Sequence, residues 1–592
     1  MALTPFIKRC GFKTPQLITL GVLPEFYGGQ PRRSVHEVEH EIRQDPFSLM
    51  RIEGFEWSTS DRIAVHVLNL PVNDWRRMKA ASHAALRDKD WTDGSCCFTP
   101  RAVAMRMSFF LEKHRPPWDD KKAYADKITV ATGAGIEAAI NARHLAEYSG
   151  VLWLPEILRA EETAGIFANQ AHVHDQPSGN IQYKIPSHFI TEQANAVRKI
   201  LSHRMSVLTG PPGSGKTAVI AALPDLRECI LLAPTNKAVV IMKEAASGHI
   251  ARTLHSFYGR YCRLKRTIAE GGRDAEDAHD ELCSMHGKLI VIDEATMVDV
   301  VMFSWVCSVA DDLDSSVVLI GDRNQLQSIG PGQVFYDLIA SSEIPVAELT
   351  VNHRSAGTGI ATAAELILTG ESPPNGSPDY HTSYSPKSES VIEDCITRIE
   401  YWRTSGDPIG RAPVLTWMVD CRKKLNTELQ QRLNPSGKEW RAGNGSRTKK
   451  LRVGDPVVST ENIREEEISK SDRGIITGIE EEPDGRHTIT VQYPRRTHVY
   501  KERRNEREPD EFGWIELGYA VTVHVSQGSE YPDVIVCLPF ASRRCERSLF
   551  YTAVTRGKNR VAVFSTKDAV EQVVSNNCSG ARKTLLKERI HA

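Results

Sequence analysis

Gly210-Pro211-Pro212-Gly213-Ser214-Gly215-Lys216-Thr217 has the form G-x-x-x-x-G-K-T, a phosphate-binding loop. Met205-Ser206-Val207-Leu208-Thr209 runs into it with the composition of a strand, and Thr217 to Leu223 leaves it with that of a helix. Strand–loop–helix is the context the pattern requires. The glycines let the backbone curl until successive N–H groups face one point, a nest for an anion. The helix that follows adds its positive N-terminal end. In such a loop Lys216 reaches the β and γ phosphates of ATP, and the Thr217 hydroxyl ligates Mg²⁺. A Gly/Pro turn with no ligand is the bland alternative, and eight matching residues in the right context weigh against it.

Outward from the loop, apolar strands recur with helices between them. They are Cys229 to Ala233, Leu289 to Ile292, Val317 to Ile320, Ala412 to Thr416, Val534 to Cys537 and Arg560 to Phe564. Continuous apolar strands alternating with helices predict parallel sheets covered on both faces. They fall before and after about residue 345, which predicts two α/β domains. Asp293-Glu294 ends the strand at Ile292. A carboxylate at a strand end beside a P-loop suits Mg²⁺, and its neighbour can activate water. Gly321-Asp322-Arg323-Asn324-Gln325 ends the next strand, where Gln325 is placed to sense the γ-phosphate. Ala233-Pro234-Thr235-Asn236 ends the strand after the P-loop. Strand C-termini are where doubly wound folds place ligands. Thr191 to Leu201 reads as a helix just ahead of the loop, and its Gln193 has an amide that suits an adenine edge, although a surface glutamine is the commoner case. Arg354 and Arg556 lie beyond the first domain, and either can reach across a cleft as an arginine finger or sit in an ordinary salt bridge.

The flanks read differently. Residues 1 to about 175 are mostly helical, with amphipathic stretches at Asp74 to Leu86 and Ala102 to Lys113 and a last helix from Val151 to Phe167. Asp45 to Ala64 can form a helix-hairpin-helix, a turn that holds DNA phosphates, or a plain helical hairpin. His174 to Asn180 reads as a linker and Gly370 to Pro386 as a surface loop. Arg441 to Leu517 carries short alternating strands and an Asp484-Gly485 turn, which predicts a small antiparallel barrel. The barrel is locally basic. Arg447, Lys449, Lys450 and Arg452 at its start, and Arg495, Arg496, Lys501, Arg503 and Arg504 later, suit a clamp on single-stranded DNA or a solvated face.

The 592 residues exceed one core, and 74 basic residues balance 75 acidic ones, so any nucleic-acid surface must be local. No run of about 18 apolar residues predicts a membrane helix, and Met1 to Arg9 lacks a signal-peptide core. The 12 cysteines form no C-x-x-C pair, which points to a reducing, cytoplasmic setting without structural zinc.

Taken together, the P-loop, Ala233-Pro234-Thr235, Thr253-Leu254-His255, Asp293 to Val298 and Gly321 to Gln325 resemble the motifs of RecD-type superfamily 1 helicases. So do Leu425 to Pro435, Ala520 to Glu530 and Leu549 to Arg556. The order and spacing cover about residues 185 to 570, and the N-terminal part resembles the stand-alone subgroup. The resemblance implies 5′→3′ ATP-driven travel on single-stranded DNA and unwinding of forked duplex, in replication, recombination or repair. Single-strand-binding or replication proteins are the partners it suggests, and no membrane. It implies a helical N-terminal domain over 1–180 and a RecA-like domain over 181–345 with a hairpin insertion near 258–288. A second RecA-like domain follows over 346–440 and 518–592, interrupted by an SH3-like barrel over 441–517. It puts Gln193 on adenine, Gly528 and Glu530 in the nucleotide site, and Arg354 and Arg556 on the γ-phosphate. It puts Pro234, Thr235, Asn236, Thr253, His255, Asn324, Thr522 and His524 along the DNA. Gly54-Phe55-Glu56 departs from the family's Gly-hydrophobic-Gly hairpin by bringing a negative charge, and Val525 replaces a usual lysine. The chain also starts close to the hairpin, so the extra N-terminal domain of longer relatives is expected to be absent. A single-strand translocase with little unwinding, or a repair scaffold with a vestigial ATPase, is the alternative reading.

Overall fold

The structure, a computed structural model, describes residues 4–12, 16–17, 20, 33–52, 55–88, 92–116, 120–173, 185–246, 249–272, 274–351, 358–442, 449–463, 468–483, 485–502, 511–542, 545–578 and 580–591. Compactness divides the chain at Glu162, inside the helix Pro155–Val173, rather than near residue 180. The predicted linker 174–180 lies outside the described residues.

The first unit is built on the helices Val35–Gln44, Trp57–His66, Trp75–Arg87, Pro100–Glu112 and Lys121–Asn141. Ser34 and Glu37 cap the first reciprocally, each side chain accepting the other's backbone N–H at 3.1 and 2.8 Å. One expectation fails here. Val151 does not open a helix: Cys97–Phe98 (β1), Ala146–Tyr148 (β2) and Val151–Trp153 (β3) form a small antiparallel sheet. Tyr148 pairs with Val151 across Ser149-Gly150, both at positive φ, so a two-residue hairpin turn overrides the helical pattern that follows. The helix begins only at Pro155.

In the hairpin segment a 3₁₀ turn, Pro46–Arg51, leads to the helix Trp57–His66, and Phe47 stacks on Trp57 at 5.3 Å. Gly54 lies outside the described residues. The helix carries Asp61, fully buried, which accepts two hydrogen bonds from the equally buried Arg77 at 2.7 and 3.1 Å. Tyr124 accepts from Arg77 at 2.8 Å, and His114 approaches Asp61 at 3.0 Å. A buried ion pair is stable only while both partners remain. Asp61→Ala is therefore expected to destabilise this unit by about 3–5 kcal/mol, read as a fall in its urea midpoint, whereas Asp61→Leu with Arg77→Met should be far milder.

In the second unit Met205–Thr209 (β4), Cys229–Ala233 (β5), Ala251–Thr253 (β6), Leu289–Ile292 (β7), Ser316–Gly321 (β8) and Val346–Glu348 (β9) form a parallel sheet, order β6-β5-β7-β8-β4-β9. β9 pairs with β4, so this sheet runs past residue 345. Between β6 and β7 the chain makes a helical hairpin, Leu254–Glu270 and Asp274–Cys283, held by Arg260 on Glu281.

A second parallel sheet starts with Tyr380–Tyr384 (β10) and Val414–Thr416 (β11). β10 corrects the predicted loop at Gly370 to Pro386. Its polar sequence conceals a period of two in which Tyr380 and Thr382 are buried. An antiparallel insertion follows: Glu439–Ala442 (β12), Lys449–Arg452 (β13), Pro456–Ser459 (β14), Arg473–Glu481 (β15), His487–Gln492 (β16), Thr497–Lys501 (β17) and Ile515–Leu517 (β18). Its strands form a ribbon, β12-β13, and a sheet, order β17-β16-β15-β14-β18, sharing one apolar core around Trp440, Val457, Ile489 and Tyr500. The chain then rejoins the second sheet with Ala520–Thr522 (β19), Tyr531–Leu538 (β20) and Gly557–Ser565 (β21), order β10-β21-β20-β11-β19, all parallel. Among the described residues no helix is long and apolar enough to cross a membrane.

Leu425 to Pro435 is an anchor for this insertion. Asn426, on the helix Val419–Leu433, bonds both backbone groups of Ala520 at 2.8 and 3.0 Å, which fixes β19. Gln430, Asn434, Tyr519 and the Arg452 backbone all donate to the buried Asp455.

Two of the basic residues at the start of the insertion, Lys449 and Arg452, serve packing. Arg447, Arg503 and Arg504 lie outside the described residues. Lys449 donates to the carbonyls of Phe512 and Ile515. Arg452, 9% exposed, pairs with Glu439 at 2.7 Å and donates to the Asn434 carbonyl at 2.8 Å. Neutralising Lys449 and Arg452 together is therefore expected to lower the thermal midpoint of the chain. The slope of single-strand affinity against salt should stay as it is; a slope smaller by about 0.7 per residue would restore them as phosphate contacts.

Candidate nucleotide site

β4 delivers Gly210 to the end of the sheet, where its N–H donates to the Gly321 carbonyl of β8 at 3.2 Å. Gly213 and Gly215 take φ of +82° and +91°, the left-handed region that glycine enters without strain. Gln193 also comes close to Gly215. A Cβ there would lie 2.2 Å from Nε2 of Gln193. Gln193 is buried on the helix Thr191–Ser202, and its Oε1 accepts the Ile190 N–H at 3.3 Å, so its amide nitrogen is aimed at the loop. The helix Lys216–Leu226 starts at once, with Thr217 exposed in its first turn.

Lys216 donates to the carbonyls of Gly210 at 2.6 Å and Pro211 at 2.9 Å. Burial pushes its ammonium below the ordinary lysine range, against the opposing pull of Asp322, Glu294 and Asp293. Asp293 and Glu294 follow β7. The Glu294 N–H donates to Oδ1 of Asp293 at 2.9 Å, and Glu294 itself sits at φ +51°. A non-glycine residue held there is strained, and such strain collects at working sites. Burial first, then the adjacent Glu294 carboxylate, pushes Asp293 up to about 7. A cation near these groups would reverse that shift. The Thr217 hydroxyl and the two carboxylates are hard oxygen donors of the kind Mg²⁺ takes together with phosphate.

The second sheet contributes to the same place. Arg556, 3% exposed, donates from Nη2 to Oε1 of Gln325 at 2.8 Å and from Nη1 to the Ser529 carbonyl at 3.2 Å. Arg354 lies outside the described residues. Gly528, at φ +69°, sits beside Thr235, and Glu530 pairs with Lys558 at 2.9 Å.

The residues expected along DNA occupy strand C-terminal ends. Thr235 and Thr253 cap the helices after β5 and β6 by accepting the N–H groups of Ala238 and Ser256, each at 3.2 Å. Pro234 adjoins Thr235, and Asn236 donates to Asn462 of the antiparallel insertion at 2.7 Å. His255 is exposed and edge-on to Trp305 at 5.3 Å; Trp305 in turn stacks on Tyr258 at 4.8 Å. Asn324 follows β8. Thr522 ends β19, His524 is exposed just beyond it, and Val525 packs against the second sheet's core. Two residues that sequence reasoning left without a role, Asp322 and Tyr551, are buried here and bonded to each other at 2.9 Å. Within an apolar helix, Tyr551 looks like any core aromatic.

Since Arg556 reaches Gln325 from the other sheet, Arg556→Ala is expected to lower kcat for ATP by about 10³ or more while ATP still binds. A rise in KM with unchanged kcat would make Arg556 a binding residue.

The family described as an AAA domain matches residues 188–380, and that described as a UvrD-like helicase C-terminal domain matches residues 517–564. An ATP-dependent RecD2 DNA helicase of Deinococcus radiodurans is 29% identical over 93% of this chain and 74% of its own length. The RecBCD enzyme subunit RecD of Mycolicibacterium smegmatis is 26% identical over 84% of this chain and 91% of its own. Among solved structures, the Pif1 helicase from Candida albicans is 17% identical, with a TM-score of 0.44, covering 66% of this chain and 97% of that one. With its motifs in this order, the chain is similar to a RecD2 helicase along 93% of its length.

Proposed function

We propose that this protein is an ATP-dependent DNA helicase that travels 5′→3′ on single-stranded DNA and opens forked duplex. One observation carries the reading. The Arg556 guanidinium, from the second parallel sheet, is bonded to Gln325 at the end of β8 in the first, beside the cluster of Lys216, Asp293 and Glu294. A nucleotide held by the P-loop would thus be sensed by both sheets at once. Its hydrolysis would change how the two sheets meet, and the loops carrying Thr235, His255 and Thr522 would move with them.

In this reading the nest at Gly210 to Lys216 and the helix behind it bind the triphosphate. Thr217 and Asp293 would hold Mg²⁺, which would supply charge neutralisation on the triphosphate. Glu294 accepts the proton of the attacking water, and its strained φ fixes the carboxylate's direction. Gln325 orients that water, Arg556 stabilises the charge that develops, and Gln193 reads adenine. Arg354 is a second candidate for the γ-phosphate. The antiparallel insertion is the SH3-like domain of such enzymes, and the helices before residue 162 form the N-terminal domain. Phosphate contacts at the threonines and Asn324 are independent of sequence, as a motor on single strands requires.

Lys216→Ala and Glu294→Gln are each expected to cut DNA-stimulated ATP hydrolysis by roughly 10²–10³ or more with the fold intact by circular dichroism. The reading itself rests on forked substrates. Unwinding of a fork with a 5′ tail, and none of one with a 3′ tail, is expected. ATP hydrolysis without strand separation would leave a translocase, and neither activity would leave a scaffold.

A further inference from the structure

We propose that Tyr551 is a positioning residue that ties the nucleotide side of the first sheet to its nucleic-acid side, acting through the carboxylate of Asp322. The proposal rests on the helicase reading above and adds to it the group through which the two sides communicate.

Asp322 follows β8 and is 3% exposed. Its carboxylate has three donors. Oδ1 accepts the backbone N–H of Asn324 at 3.0 Å. Oδ2 accepts the side-chain amide of Gln325 at 3.3 Å and the hydroxyl of Tyr551 at 2.9 Å. The first two donors belong to the turn after β8. The third comes from the helix Arg547–Val554 of the second sheet. The same helix presents Thr552, whose Oγ1 accepts the Leu326 N–H at 3.1 Å, and Arg556 lies just past its end. One helix therefore grips the turn at three points.

Gln325 is consequently held at both ends of its amide, by Asp322 on the nitrogen and by Arg556 on the oxygen. Of the carboxylates acting on Lys216, that of Asp322 acts most strongly. One buried carboxylate thus connects the P-loop lysine, the glutamine facing the phosphate, and the backbone of Asn324 on the nucleic-acid side. Tyr551 is the member of this set that belongs to the other sheet yet has no reason to touch nucleotide. Removing its hydroxyl leaves a buried acceptor under-bonded, a state that proteins relieve by moving the group or protonating it. Either response frees Asn324 or Gln325 from its partner. The hydroxyl therefore selects the one arrangement in which both are fixed, and a change at either site is felt at the other.

The experiment uses the full chain and Tyr551→Phe, which keeps the ring and removes one oxygen. ATP turnover is measured against ATP concentration, with and without single-stranded DNA, together with ATP consumed per base pair opened. KM for ATP and DNA-free turnover are expected to stay within about twofold, while stimulation by DNA falls about tenfold, the scale of a typical coupling between sites, and ATP consumed per base pair rises. Asp322→Asn serves as a second variant. Its loss of stimulation should not add to that of Tyr551→Phe, since the two act through one bond. Parental stimulation and yield in Tyr551→Phe would overturn the coupling, as would an equal loss with and without DNA, which marks a structural role. Fully additive losses would overturn it too. A parent chain that single-stranded DNA does not stimulate overturns the helicase reading and the coupling with it, whereas a stimulated parent with an equally stimulated variant overturns the coupling alone.

Discussion

Two cations face one place in this molecule, Arg556 buried and Lys216 half-buried. Lys216 is held by loop carbonyls beside Asp293, Glu294 and Asp322, and Arg556 is held by Gln325 and the Ser529 carbonyl. Desolvation pushes the Lys216 ammonium down, and the charge of Arg556 adds a smaller push in the same direction. Burial of like charges is tolerable only where opposite charge or oriented dipoles are supplied. Here the carboxylates do part of that, and carbonyl oxygens do the rest. The arrangement is a preorganised demand for a polyanion, and its two halves stand on different sheets.

The rest of the second unit keeps those halves in register. β4 and β8 run side by side, so the P-loop and the turn at Asp322 end at the same level. Gly210 is bonded to Gly321 across that junction. On the other sheet, Asn426 pins β19 through both backbone groups of Ala520, and Asp455 gathers Gln430, Asn434, Arg452 and Tyr519 into one buried knot. The antiparallel insertion is thus tied to the strand that bears Thr522. Arg452 is occupied in that tie, and Lys449 in holding the insertion's own carbonyls. Charge in the sequence does not distinguish a lysine that meets phosphate from one that closes a ring of carbonyls.

Much was determined by the sequence alone. The P-loop, its strand and its helix are local, since eight consecutive residues supply the glycines, the lysine and the hydroxyl. The parallel strands are legible because burial on both faces makes them continuously apolar, as in β7 and β8. Asp293-Glu294 is legible because it ends one of them. Where a short-range device overrode the broader pattern, the reading failed. Ser149-Gly150 turned an apparent helix start into a hairpin, and the polar stretch at Tyr380 hid an edge strand that is defined by its pairing with β21.

Only the tertiary structure decided which polar residues meet. Asp322 and Tyr551 are 229 positions apart, and Gln325 and Arg556 are 231 apart. Nothing in either local sequence states that one hydroxyl will find one carboxylate, because a hydrogen bond depends on a separation of about 3 Å that is set by two whole sheets. The same holds for Arg77 and Asp61 in the first unit, where helical periodicity places each side chain on a buried face but cannot say that the faces coincide. Sequence determines the elements and the chemistry at their ends; the packing of sheets decides which of those ends share a site.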